Sequence, residues 1–129
     1  MKKLAIALMA ILPLVTLSLI LPGTASADGE WAAGEWKLWT DYSDANGQVT
    51  FTGHVRIQRV GGRLTGRIKF DVLGEWERLE DIEVTDETVG FTRPKYKQRY
   101  FGHRNGDRME GTYKDRLNHG EWAWQAERE

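Results

Sequence analysis

The side chains best able to bind a metal or act as nucleophiles are few and scattered. His54, His103 and His119 fall in different segments, and no His-x-His or His-x-x-x-His spacing joins two of them. Zinc sites need clustered nitrogen or sulfur ligands, and the chain has no cysteine. Ser43, the only serine after residue 27, lies in a predicted turn and gives no sign of a catalytic triad. Acidic residues are plentiful, but nothing singles out a catalytic pair. We therefore predict no metal site, no cofactor and no enzymatic activity.

Aromatic side chains give the sequence its most distinctive chemistry, with six tryptophans among 129 residues. Large aromatic residues alternate with glycines on the face predicted to point inward, and the polar residue Gln98 shares their phase. Glycine leaves space, aromatic rings supply contact area, and a buried amide can orient one polar end of a ligand. We predict that Gln98 is the polar handle of a pocket for a small apolar or aromatic ligand. The predicted wall of that pocket is Trp76, Tyr100, Tyr113, Trp122 and Trp124. The alternative, which the sequence leaves open, is that these side chains fill the interior completely.

Charged residues form two blocks, an acidic one between Asp71 and Glu87 and a basic one between Arg93 and Arg108. The basic block could be a patch for an acidic partner. We favour opposite charges that face each other across neighbouring strands on an outer wall, where each pair contributes well under ~1 kcal/mol. The net charge of −1 gives no reason to expect a nucleic acid as partner.

Alternation of apolar and polar residues with a period of two predicts that these side chains lie on β-strands. The clearest run places Val49, Phe51, Gly53, Val55 and Ile57 on one face. Tight hairpin turns are indicated by Asn-Gly pairs at residues 46–47 and 105–106 and by a Gly-Gly pair at residues 61–62. The segment 76–84 is less regular, because its leucine is out of phase with its tryptophan, and a bulge is expected near residues 78–80.

About eight short strands at spacings of roughly ten residues predict an all-β, antiparallel, up-and-down meander. A closed barrel and a sandwich both suit this number of strands. Glycines on the apolar face, at Gly53, Gly66, Gly102 and Gly111, favour the barrel, because closing a sheet requires tight bends.

Residues 1–27 have the three zones of a secretory signal peptide. Two lysines follow Met1, residues 4–21 are almost wholly apolar, and Ala25-Ser26-Ala27 fits a cleavage site. Cleavage would leave a single domain at residues 28–129, periplasmic or secreted. The apolar run of about 18 residues is close to the lower limit for a membrane span, so an uncleaved anchor is the alternative. After cleavage we expect no stable membrane insertion.

Short motifs of glycine and aromatic residues recur between residues 34 and 128. They are Gly34-x-Trp36, Gly62-Arg63-Leu64-Thr65-Gly66, Tyr100-x-Gly102, Met109-x-Gly111-Thr112 and Trp124-x-Ala126-x-Arg128. In these motifs the chain resembles the calycins, the lipocalin and avidin group of small barrels, and a largely uncharacterised lipocalin-like group of exported bacterial domains. The residues with which avidins hold biotin are not recognisable. The resemblance implies that Trp36 packs against Arg128 when the first and last strands meet, which is a structural role.

Two classes of function follow. We predict an exported, non-catalytic barrel that binds a small ligand inside. The alternative is an envelope or secreted protein-interaction module, for instance an inhibitor, with a fully packed core. A cavity of a few hundred Å³ would favour the first class. The sequence does not indicate an oligomeric state.

Overall fold

The computed structural model describes residues 29–129, so the predicted signal peptide and its cleavage site lie outside the described residues. In this part of the chain nine antiparallel strands form one sheet that curls into a nearly closed barrel. The strands are β1 (Gly34–Asp44), β2 (Gly47–Val60), β3 (Arg63–Phe70), β4 (Trp76–Arg78), β5 (Glu80–Val84), β6 (Thr88–Arg93), β7 (Gln98–Asn105), β8 (Arg108–Asp115) and β9 (Gly120–Arg128).

The order of the strands in the sheet is β4-β3-β2-β1-β9-β8-β7-β6-β5. The first and last strands, β1 and β9, pair with each other in the middle of this order, and all other neighbours are consecutive in sequence. The edge strands of the sheet are β4 and β5. The predicted all-β meander is therefore confirmed, as a barrel rather than a sandwich. Short 3₁₀ turns at Glu30–Ala32 and Pro94–Tyr96 lie at opposite ends of the barrel.

One strand more than the expected eight arises because the irregular segment is divided into β4 and β5. Leu79 separates them, is buried, and donates its N–H to the carbonyl of Gly66 at 2.9 Å. β4 pairs only with β3, and β5 pairs only with β6, with a register shift between Glu80 and Glu83. In place of the bulge predicted near residues 78–80, the strand breaks at Leu79, at the seam between the edge strands, and the register shift lies just after it, between Glu80 and Glu83.

Because of this division, the residues around β4 that face inward are those that alternation predicted to face outward, and the reverse. With Leu79 and Glu77 buried, Trp76 points outward and lies between Arg56 and Lys69, whose cationic groups are 4.4 and 5.3 Å from its ring centroid. The prediction that Trp76 forms part of the interior wall is therefore wrong. Val49 shares the phase of Phe51 and is paired with Tyr42, and it is 43% exposed because it lies near the start of β2.

One end of the barrel, here called the closed end, is covered by the 3₁₀ turn Glu30–Ala32. The Trp36 indole donates to the Ala32 carbonyl at 2.9 Å. Arg128 lies over the same indole, with Cζ 4.3 Å from the ring centroid, and its Nη1 donates to the Ala33 carbonyl at 2.8 Å. The expected contact between the first and last strands is therefore present, and it seals this end.

The core occupies the closed end and the middle of the barrel. Its side chains are mostly aliphatic near the closed end and aromatic toward the other end, here called the open end. The fully or almost fully buried apolar residues include Trp36, Leu38, Val55, Ile57, Ile68, Val89, Phe91, Tyr100, Met109, Trp124 and Ala126. At the open end polar side chains join the aromatic ones in the interior, and the candidate site lies there.

Opposite charges face each other on the outer wall, as in the interpretation favoured from the sequence. Arg99 of the basic block pairs with Glu83 of the acidic block at 3.3 Å, and Lys95 with Glu75 at 3.6 Å. Arg93 and Glu77 depart from that interpretation, because their pair is buried. No helix within residues 29–129 has the length and apolar character that crossing a membrane requires.

Candidate functional site

A cavity of about 270 Å³ opens at the open end of the barrel. Most of its lining is aromatic or aliphatic, and a smaller group of polar side chains converges on one side. The aromatic and aliphatic lining comprises Tyr42, Phe51, Phe70, Val72, Leu73, Tyr96, Tyr100 and Tyr113; the other lining residues are Thr40, Arg93, Gln98, Asp115 and Asn118.

The strand registers bring the polar residues together. Arg93, the last residue of β6, is the cross-strand partner of Gln98, the first residue of β7. Gln98 in turn lies opposite Asp115 on β8, and Tyr100 lies opposite Tyr113. Because side chains at partnered positions point to the same face of a sheet, all five converge inside the barrel.

A buried ion pair anchors this group. Arg93 donates from Nε to Oε1 of Glu77 at 2.8 Å and from Nη2 to Oε2 at 2.6 Å. The two side chains are only 6% and 7% exposed. Such a two-pronged contact fixes the plane of the guanidinium group. The rings of Phe70 and Tyr96 pack against it, with Arg93 Cζ 4.4 and 4.0 Å from the two ring centroids.

Gln98 connects the ion pair to Asp115. Its Oε1 accepts from Arg93 Nη1 at 3.2 Å and from the Tyr100 hydroxyl at 3.0 Å. Its Nε2 donates to Asp115 Oδ2 at 3.0 Å. The amide that the sequence predicted as a polar handle therefore lies in the cavity wall, but its oxygen is already occupied by two protein donors.

Asp115 is the second carboxylate of the site, and its oxygens are fully used. Oδ1 accepts the backbone N–H groups of Leu117 and Asn118, both at 2.9 Å. Oδ2 accepts the Asn118 side-chain amide at 3.1 Å in addition to Gln98. Burial alone would raise the pKa of Asp115, but these hydrogen bonds outweigh it and hold the pKa below the usual value. Asp115 is therefore ionised at neutral pH.

The two cavity tyrosines stay neutral. Tyr100 stacks between Phe91 and Tyr113, with ring centroids 5.0 and 4.9 Å away, and burial raises its pKa well above the ordinary value. Burial, with a contribution from the Asp115 charge, raises the pKa of Tyr113 to about 12. The Tyr113 hydroxyl donates to the carbonyl of Asp41 at 2.6 Å. Both rings act as apolar surface with a fixed hydroxyl.

The structure brings only part of the predicted wall to the cavity. Gln98, Tyr100 and Tyr113 line it. Trp122 lies behind the wall, 5.8 Å from the ring of Tyr113, and Trp124 is buried below it, 5.7 Å from the ring of Tyr100. Both tryptophans support the cavity without lining it.

Sequence reasoning missed the charged members of the site. Alternation contained the signal: Val89 and Phe91 face inward, so Arg93 follows in the same phase, and Tyr113 is followed in phase by Asp115. Arg93 was assigned to the outer wall with the basic block, and Asp115 to a polar loop, because charged side chains are seldom buried without a partner. The partner of Arg93, Glu77, lies 16 residues away across an irregular segment, so no local pattern revealed the pair.

No three histidine or acidic side chains in residues 29–129 are grouped so that they could hold a metal ion. A scan against protein-family models and searches of curated proteins and of solved structures found no match to this chain.

Proposed function

We propose that this chain is an exported, non-catalytic barrel that binds one small apolar or aromatic molecule at its open end. The observation that supports the proposal is the cavity of about 270 Å³, with its aromatic lining and its few convergent polar groups. Ligand sites commonly combine these features, with volumes of roughly 300–1,000 Å³ for drug-sized molecules. The smaller volume here favours compounds of about one ring over retinoids, porphyrins or long acyl chains.

The state of the polar groups supports binding rather than catalysis. General acids and bases work best with a pKa near the working pH. The pKa of Asp115 is lowered and that of Tyr113 is raised to about 12, so both groups keep one protonation state near neutrality. Polar side chains that keep one protonation state and are held in place by hydrogen bonds are suited to orienting a ligand.

Export and a relationship to the calycins belong to the same proposal. Export is supported by the three-zone pattern of residues 1–27. The calycin relationship is supported by the glycine and aromatic motifs and by the Trp36–Arg128 contact. The alternative interaction module was expected to have a fully packed core, and the cavity argues against it.

The test is to block the mouth of the cavity. Val72 lines it and is 72% exposed, so Val72→Trp adds a large ring at the entrance without disturbing the core. Val60→Trp is the matched control, because Val60 is 57% exposed at the closed end. A panel of single-ring compounds is titrated into the three proteins by calorimetry. At least one compound should bind the wild type and the control equally and bind Val72→Trp at least about tenfold more weakly. If no compound binds, or if both variants bind like the wild type, the proposal is wrong.

A further inference from the structure

We infer that the cavity selects neutral ring compounds that carry a hydrogen-bond acceptor, such as a ketone or amide carbonyl, over carboxylates and amines. This ligand class rests on the proposed function and makes it more specific. The inference rests on three neighbouring groups. The guanidinium group of Arg93 is buried and has unused N–H donors, while the carboxylates of Glu77 and Asp115 offer a ligand no free oxygen.

Unused donors are supplied by Arg93. A guanidinium group has five N–H donors, and three of them bond to Glu77 and Gln98. The other two have no acceptor among residues 29–129, although Arg93 is only 5% exposed and lines the cavity. The rings of Phe70 and Tyr96, which also line the cavity, pack against the guanidinium group, with Cζ 4.4 and 4.0 Å from their centroids. Leaving buried donors unbonded costs free energy, and a carbonyl oxygen of a ligand would remove that cost.

An anionic ligand is disfavoured by the charge of the site. Arg93 looks at first like a carboxylate receptor, but Glu77 already neutralises it through two hydrogen bonds. Asp115 adds a second negative charge to the same cavity wall, so the three groups together are net negative. A ligand carboxylate would lose its hydration and face this excess charge in a poorly solvated space.

A cationic ligand is disfavoured for a different reason. The oxygens of Asp115 already accept four hydrogen bonds, from Gln98, Leu117 and Asn118. Glu77 does not line the cavity and lies behind Arg93. An ammonium group would therefore enter without a free carboxylate oxygen to bond, and the net negative charge of the site would offset only part of its desolvation.

Four ligands of similar shape test the inference: acetophenone, benzoate, benzylamine and ethylbenzene, titrated at pH 7 by calorimetry. Acetophenone should bind at least about tenfold tighter than each of the other three. In NMR spectra it should also shift the side-chain N–H signals of Arg93, which ethylbenzene should not do. Tighter binding of benzoate or benzylamine than of acetophenone would overturn the ligand class while leaving the proposed function intact. If no ring compound binds at all, the proposed function itself is wrong.

A double variant, Glu77→Met with Arg93→Met, removes the donors without leaving a buried charge unpaired. It should bind acetophenone no better than ethylbenzene and should bind ethylbenzene as the wild type does. Lys114→Met is the control, because Lys114 is exposed on β8 between two lining residues and does not line the cavity. Equal losses for acetophenone and ethylbenzene in the double variant would contradict the role of Arg93. If the double variant does not fold, the ligand series on the wild type still decides the ligand class.

Discussion

Glu77 and Arg93 join two strands that are not neighbours in the sheet. Glu77 lies on β4 and Arg93 at the end of β6, and β5 pairs with β6 only from Glu80 onward. The two hydrogen bonds of the ion pair therefore span the seam at the open end, where no ladder of backbone hydrogen bonds connects β4 to β6. The same contact orients the guanidinium group in the cavity wall, so closure of the barrel and construction of the site depend on one pair of side chains.

Removal of one member of this pair should be strongly destabilising. Glu77→Ala leaves Arg93 buried without its counter-charge, and we expect a loss of about 3–5 kcal/mol in the free energy of unfolding, measured with urea. Glu75→Ala, at a residue that is 68% exposed and 3.6 Å from Lys95, should cost well under about 1 kcal/mol. Equal effects of the two substitutions would show that the seam does not depend on the buried pair.

Asp115 should make stability depend on pH in the acid range. Its pKa is lowered by folding, so its contribution is complete above the pKa of an unfolded aspartate, about 3.9, and is lost as the pH falls through the folded value. Asp115→Asn should therefore lower the free energy of unfolding by about 1–3 kcal/mol at pH 7, and the difference from the wild type should shrink below about pH 4. Urea unfolding between pH 3 and 7 measures both. Asp86→Asn, at an exposed position, is the control and should change the free energy of unfolding little at pH 7.

Gly111 should tolerate a side chain less well than Gly66 does. A Cβ atom at Gly111 would lie 2.0 Å from the Phe101 carbonyl oxygen and 2.5 Å from the Gly102 Cα, so the backbone itself would have to move. At Gly66 the closest atom is the terminal methyl group of Ile82, at 2.9 Å, which can turn away. We expect Gly111→Ala to cost about 3 kcal/mol or more and Gly66→Ala about 1 kcal/mol in urea unfolding. The reverse order would contradict the close approach of β7 and β8.

Arg128 should stabilise the closed end through its side chain rather than its charge alone. Arg128→Ala removes the contact with Trp36 and the hydrogen bond to Ala33, and about 1–3 kcal/mol of the free energy of unfolding should be lost. Arg128→Lys should recover less than half of that loss, because an ammonium group lacks the planar fork. Arg63→Ala, at the exposed start of β3 at the same end, is the control and should be close to neutral. Full recovery in Arg128→Lys would argue for a purely electrostatic role.

The sequence predicted most of the fold because its strands obey simple rules. β2 and β3 carry almost unbroken alternation and are separated by Gly61 and Gly62, whose positive φ angles of 60° and 79° suit a two-residue turn. Trp76 was misplaced because alternation assumes a continuous strand, and the break at Leu79 reverses the phase of the residues before it.

Residues of the candidate site could be predicted only where alternation within a single strand showed their orientation. Gln98 and Tyr100 share a phase on β7, and local alternation identified both. The roles of Arg93 and Asp115 depend on partners from other segments: Glu77 for the first, and the following turn with Asn118 for the second. Burial of a charge is decided by such partners, which no single periodic pattern contains.

The pairing of β1 with β9 has a consequence for how the chain is made. A chain synthesised from its N-terminus produces β1 first and β9 last, yet Trp39 and Gln125 on these strands are cross-strand partners. One edge of Gly34–Asp44 stays unpaired until Gly120–Arg128 has been synthesised, and unpaired strand edges recruit other chains into aggregates. The length of chain between the two strands therefore sets the interval during which this edge is open to pairing with another chain.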